Sequence, residues 1–139
     1  MTANVFVDTN ILVYAHDLDA AERHKKAKRL IAELWLSKPL PWVSVQVLQE
    51  LLVTLRRRGV SDVNARETVE AYTRWRVVEN DVSLLRAGML EMERWQVSFW
   101  DGLILAAARH ARVPTILSED LSAGQDYGGV TVQNPFLTG

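Results

Sequence analysis

The sequence predicts an α/β domain built on a mostly parallel sheet, and three features predict it. Short β-branched or aromatic runs punctuate the chain: Val5-Phe6-Val7, Trp42-Val43, Val77-Val78, Thr115-Ile116-Leu117 and Val130-Thr131-Val132. Between them lie stretches with apolar residues at helical spacing, so strand and helix alternate throughout. One stretch, Leu103-Ile104-Leu105-Ala106-Ala107-Ala108, is apolar on every side, which marks a helix buried between layers. With 139 residues and 48% hydrophobic content the chain suits one compact domain over 1–139, and a chain of this size buries roughly 68 to 70% of its unfolded surface.

In order, Val5 to Val7 reads as a buried strand that ends at Asp8, and Ile11-Leu12-Val13-Tyr14 begins a short helix to about Ala15. After the break at Asp17-Leu18-Asp19, Asp19 is expected to cap a long amphipathic helix through Leu36, with Leu30, Ile31, Leu34 and Trp35 on its inner face. Pro39 and Pro41 precede the second strand, Trp42-Val43. Ser44 caps a third helix that runs to Arg58 and stops at Gly59; Val47, Leu48, Leu51, Leu52 and Leu55 form its core stripe, with Glu50 and Thr54 at the border. A fourth helix starts at Ser61 or Asp62 and ends near Arg76, and Val77-Val78 is the third strand. Asp81 or Ser83 caps a helix from Leu84 to Trp95. Ser98-Phe99-Trp100-Asp101 is a capping box that opens the buried helix. Pro114 to Leu117 gives a strand followed by Ser118-Glu119-Asp120, then a polar loop from Gly124 to Gly129 and the last strand.

The absence of cysteine excludes disulfides, thiolate metal sites and cysteine nucleophiles. Met1 leads almost at once into a strand, with no secretory pattern and no stretch of membrane-spanning length, so a cytoplasmic protein is expected. A formal charge of −1 excludes a globally basic nucleic-acid coat. Local clusters remain, Arg23-His24-Lys25-Lys26 with Lys28-Arg29 and Arg56-Arg57-Arg58, each of which reads first as a solvated helix face.

Four acids stand out by position: Asp8 at the end of the first strand, Glu50 on the helix after the second, Asp101 at the start of the buried helix, and Asp120 after the penultimate strand. Each has a plain structural explanation, as helix cap, boundary residue, capping-box acid and turn residue respectively. Open α/β sheets, however, bind ligands outside the carboxyl ends of their strands. Carboxylates gathered there would repel one another and raise one another's pKa values unless a cation neutralised them, so the cluster predicts a divalent ion. Oxygen ligands without Cys or paired His favour Mg²⁺ or Mn²⁺ over zinc, and His16, His24 and His110 lack zinc-site spacing. The chemistry natural to such an ion is phosphate chemistry.

Four blocks together carry a specific resemblance: Val5 to Ala15; Ser44 followed by Gln46-Val47-Leu48-Gln49-Glu50-Leu51; Ser98 with Trp100-Asp101-Gly102-Leu103-Ile104; and Leu117-Ser118-Glu119-Asp120-Leu121. In order and spacing they resemble the PIN-domain ribonucleases, and within them the toxin halves of VapBC toxin-antitoxin pairs. The resemblance implies a PIN-like three-layer fold and Mg²⁺- or Mn²⁺-dependent endoribonuclease activity as the toxin of a type II system. It places the acidic quartet on Asp8, Glu50, Asp101 and Asp120, with Asp8 and Asp101 as direct ligands. Glu50 and Asp120 would act through water or a second ion. Thr9, Asn10 and Ser118 match supporting polar positions. Glu119 adjoins Asp120, but the family places its acid two residues after the Ser or Thr, which selects Asp120. The products implied carry a 5′-phosphate and a 3′-hydroxyl.

The resemblance also implies an antitoxin partner and a homodimer. The helices near residues 20–36 and 45–75, with Trp35, Trp42 and Trp75, correspond to a surface the family uses as an antitoxin groove, although core packing is the expected role for most of these residues. Local arginines at 56–58 are the expected RNA contacts. Haloacid-dehalogenase-like phosphatases and response-regulator receivers also place Asp after a first strand. Both need a late lysine, and the last lysine here is Lys38. No Gly-rich run ends in Gly-Lys-Ser or Gly-Lys-Thr, so a P-loop is excluded. The remaining alternative is a PIN-like module that binds without cutting, for which mutually repelling acids have no use.

Overall fold

A computed structural model describes residues 4–137. The elements are β1 (Val5–Val7), α1 (Thr9–His16), a 3-10 turn (Leu18–Ala20), α2 (Glu22–Trp35), β2 (Trp42–Ser44), α3 (Val45–Arg57), α4 (Asp62–Tyr72), β3 (Arg76–Val78), α5 (Val82–Trp95), α6 (Phe99–Ala111), β4 (Thr115–Leu117) and β5 (Thr131–Gln133). The five strands form one sheet in the order β3-β2-β1-β4-β5, and every pairing is parallel. Phe6 of β1 registers with Trp42 on one side and Ile116 on the other. A central parallel strand is covered on both faces, and Phe6 and Val7 are accordingly shielded completely from solvent.

Helices cover the sheet. α1 packs on α2 and α3, and α3 on α4; α6 packs on α5 and against β2 and β3. Parallel strands joined by right-handed crossovers put α1–α4 on one face and α5–α6 on the other. The chain winds outward from β1 to β2 and β3, then crosses back to β4 and moves the other way to β5. Winding therefore reverses between β1 and β4, where a crevice opens beyond the strand ends. The all-apolar character of α6 is matched by its environment: Gly102 through Ala108 are all buried.

Most helix starts follow the expected caps. Ser44 Oγ accepts from Val47 N at 3.2 Å, Asp81 from Leu84 N at 2.8 Å and Ser98 from Asp101 N at 3.0 Å. Asp19, expected as the cap of α2, is not one. Asp17 accepts from Asp19 N at 3.1 Å and closes a 3-10 turn around it, so α2 starts beyond Ala21, which has φ 53° and makes no side-chain cap. α4 stops at Tyr72 rather than near Arg76, because Arg76 N donates to Pro41 O at 3.1 Å and begins β3. Trp75, in the turn between them, packs against Tyr72 and Trp35 at ring separations of 5.0 and 5.3 Å. Leu52, expected in the core, is 38% exposed; Gln46 is buried on α3 instead. The last strand is Thr131–Gln133, one residue later than expected.

The α5–α6 contact depends on two glycines. A Cβ on Gly102 would come within 2.6 Å of Gly88 O and 3.0 Å of Met92 N, both backbone atoms. A Cβ on Gly88 would meet Leu103 Cδ2 at 2.6 Å, a side-chain tip that can turn aside. Gly102→Ala is therefore expected to destabilise the domain by about 1–3 kcal/mol through overpacking, and Gly88→Ala by less. Urea unfolding of both variants checks this, and equal midpoints for the two would contradict it.

Candidate active site

Asp8 follows β1 directly and does two things at once. Its Oδ1 accepts from Thr9 N at 2.7 Å at the start of α1, and its Oδ2 accepts from Ser118 Oγ at 2.7 Å across from the end of β4. Asn10 Nδ2 approaches the same Oδ2 at 3.4 Å, while Asn10 Oδ1 accepts from Glu119 N at 3.1 Å. Ser118 Oγ also accepts from Asp120 N at 3.1 Å. The loop after β4 is thereby stitched to the first turn of α1, and Asp8 is held 5% exposed at the bottom of the crevice.

The other acids come to the same place. Glu50 Oε1 accepts from Thr9 Oγ1 at 2.8 Å and from Gln46 Nε2 at 3.5 Å, one helical turn before it. Asp8, Glu50, Asp101 and Asp120 all line one open cleft of about 320 Å³, with Thr9, Asn10 and Tyr14 in its wall. Glu119 does not join them. Its carboxylate accepts from Tyr14 Oη at 2.8 Å and pairs with Arg23 Nε at 2.7 Å, and it is not part of the cleft lining.

The electrostatics follow from this crowding. Burial pushes the Asp8 carboxyl up to about 7, against the hydrogen bonds from Ser118 and Thr9, and the charges of Asp120 and Glu50 push the same way. Asp101 is also raised, first by desolvation and further by Asp120, with the Ser98 hydrogen bond opposing. Glu119 moves the other way: its desolvation is outweighed by Arg23 and Tyr14, which hold it below the ordinary carboxylate value. Arg58 lines the cleft and is ion-paired with Asp17.

The residue types and the extent of this arrangement can be matched to known proteins. The PIN domain family model matches residues 5–123. The chain belongs to the PIN domain family. Solved structures similar to this PIN domain include the Mycobacterium tuberculosis toxin VapC20, which cleaves the sarcin-ricin loop; it is 25% identical with a TM-score of 0.67, over 84% of this chain and 89% of that one. A toxin-antitoxin complex from Klebsiella pneumoniae matches at 19% identity and TM-score 0.67, over 94% and 97% of the two chains. A DNA-bound VapBC from Salmonella typhimurium matches at 16% and 0.66, over 97% and 99%. The five-stranded parallel sheet and its flanking helices are those of the PIN fold. No curated protein matches the chain.

The donor set of this PIN domain is all oxygen, which suits a hard divalent cation. Among the described residues no three acidic or imidazole groups are drawn together closely enough to hold an ion by themselves. Gln46 and Tyr14 are part of the cleft but did not stand out in the sequence. Gln46 precedes Glu50 by one helical turn, and that spacing is the signal that could have found it. Nothing local marks Tyr14, whose hydroxyl reaches 105 residues along the chain to Glu119.

A carboxyl with a raised folded-state pKa favours folding while it stays protonated, and this contribution is lost as the pH rises from the ordinary 3.8 to about 7. In metal-free buffer, Asp8→Asn should be more stable than the parent, by at least ~1 kcal/mol at pH 8 and by less at pH 5. Thermal melts across this range test the sign; a gap that narrows with rising pH would contradict it.

Proposed function

We propose that this PIN domain is a divalent-metal-dependent endoribonuclease and the toxin of a type II toxin-antitoxin pair. The observation that carries the reading is the convergence of Asp8, Glu50, Asp101 and Asp120 on one open cleft. The PIN match over residues 5–123 and the likeness to VapC20, a toxin that cleaves the sarcin-ricin loop, support it.

Asp8 and Asp101 would hold Mg²⁺ or Mn²⁺ directly, with Glu50 and Asp120 acting through water or a second ion. When bound, the ion supplies Lewis-acid polarisation of a phosphoryl oxygen and relief of the carboxylate repulsion. The chain's own groups supply position. Ser118, Asn10 and the Thr9 amide fix the plane of the Asp8 carboxylate, and the Thr9 hydroxyl with Gln46 fixes Glu50. These oriented acceptors would align a water for in-line attack: its oxygen bonds to phosphorus as the P–O3′ bond breaks, and the proton it loses ends on O3′, leaving a 5′-phosphate and a 3′-hydroxyl. Holding the acceptors rigid before substrate arrives is where such a site gains most of its rate.

Two protein partners belong to the same reading. The relatives from Klebsiella and Salmonella are toxin-antitoxin assemblies, which supports a cognate antitoxin. A hollow lined by His16, Trp35, Asn64, Thr68 and Tyr72 is the proposed seat for it. Trp75 is buried and Trp42 half-buried beneath Arg76, so these two pack rather than dock. Val82, Leu85 and Met89 leave an exposed apolar stripe on α5, which supports a homodimer. No helix among the described residues is long and apolar enough to cross a membrane, and an RNA-cleaving role would place the protein in the cytoplasm.

Purified protein should cut single-stranded or looped RNA only with Mg²⁺ or Mn²⁺ and stop on chelation. Asp8→Asn and Asp101→Asn should each lower the rate at least ~100-fold, about the loss when one oriented hydrogen-bonding group is removed from an active site, while circular dichroism stays unchanged. RNA binding without product under any divalent ion would replace the nuclease with a binding module.

A further inference from the structure

The acid cleft is a poor place for a polyanion to bind. Four carboxylates line it, and Arg58, the one Lys or Arg in its wall among the described residues, is already paired with Asp17. A nuclease built this way needs affinity from something other than phosphate contacts at the cleft itself. The structure offers that beside it.

Trp100 stands on the first turn of α6, one residue before Asp101, and is 60% exposed. Leaving an indole in water forfeits the burial free energy of a large aromatic side chain. Its edge is braced by Phe99 at a ring separation of 5.2 Å, and its carbonyl oxygen accepts from Gln46 Nε2 at 3.4 Å. Trp100 lines the acid cleft and also a second hollow of about 390 Å³ next to it. The two hollows share Gln46, Glu50, Thr54 and Trp100, so they form one continuous trough. The second hollow adds Gln49, Val53 and Arg57: two amides with Gln46, an aliphatic surface and a cation. The side-chain hydrogen bonds of Gln46, to Glu50 and to the Trp100 carbonyl, are both donated by Nε2 and tie the floor of the trough to the start of α6.

Resting on the nuclease reading above, we propose that this hollow is a nucleobase subsite in which Trp100 stacks an unpaired base next to the scissile phosphate. Gln49 can meet the edge of the base with a donor and an acceptor, and Arg57, in the part of the trough away from Asp8, Asp101 and Asp120, can meet the adjoining phosphate. A base in a duplex has no free face for the indole, so Trp100 selects single-stranded or looped RNA. Trp100 determines substrate preference and has no part in moving protons. The indole also borders the apolar α5 surface through Val82 and Leu85. A protein contact at Trp100 is therefore the competing outcome, but amides and a cation around it favour a base.

The experiment uses the full chain carrying Asp8→Asn, so that RNA is bound and not cut, and follows binding of a short unpaired oligoribonucleotide by anisotropy. Trp100→Ala is expected to weaken binding about 5- to 100-fold, the range for losing one stacked base, and Trp100→Tyr to restore most of it. The same oligonucleotide with abasic sites should bind both the parent and Trp100→Ala equally weakly. In the cleaving protein, Trp100→Ala should raise KM with little change in kcat. Equal affinity of Trp100→Ala for the intact strand would overturn the proposal. A changed sedimentation coefficient with unchanged RNA affinity would overturn it in favour of a protein contact. Failure of the nuclease reading has a separate sign: the protein with Asp8 intact would bind RNA and yield no product under any divalent ion.

Discussion

The hydrogen bond from Ser118 Oγ to Asp8 Oδ2, 2.7 Å long, joins the ends of the two strands between which the winding of the sheet reverses. A carboxylate shielded from water at that point is costly unless its lone pairs are used. Here they are used by Ser118, by the Thr9 amide and, at longer range, by Asn10. The same three partners fix where α1 starts and where the loop after β4 runs. Asp8 is therefore a helix cap and a cleft acid together, and one set of contacts supplies both roles.

The quartet is arranged against its own stability. Burial is the main reason the carboxyls of Asp8 and Asp101 are pushed up, and the charges of Asp120 and Glu50 on Asp8, and of Asp120 on Asp101, add to it. Structural acids elsewhere in the chain are treated differently. Glu91 accepts two hydrogen bonds from Arg109 and one from Trp95 Nε1, and Glu119 is neutralised by Arg23. These two struts are each paired with an arginine, whereas Arg58, in the cleft wall, is paired with Asp17 and not with any of the four cleft acids. Local conflict of this kind concentrates at functional sites, because folding alone would remove it.

Much of this was legible in the sequence, for physical reasons. The strand runs, the caps at Ser44, Asp81 and Ser98, and the buried helix α6 depend on local pattern, which the tertiary structure reinforces. Three of the four acids were legible because they sit at strand ends or on the helix just after one, and Asp101 because it opens the buried helix; the four-block resemblance joined them. What was missed depends on distant contacts. Asp19 loses the α2 cap because Asp17, held by Arg58 from another helix, closes a turn around it. α4 ends early because Arg76 is captured by Pro41 O. Glu119 and Asp120 are neighbours of the same charge, and only Tyr14 and Arg23 show which of them turns away. The role of Trp100 is invisible until its exposure beside the acids is known.

The central claim is that these carboxylates gather to share a divalent cation. Crystals grown with Mn²⁺ and measured near its absorption edge test it most directly. The account predicts an anomalous difference peak in the cleft within coordination distance of the Asp8 and Asp101 carboxylates. A peak bound only elsewhere, or none at millimolar Mn²⁺, would contradict it.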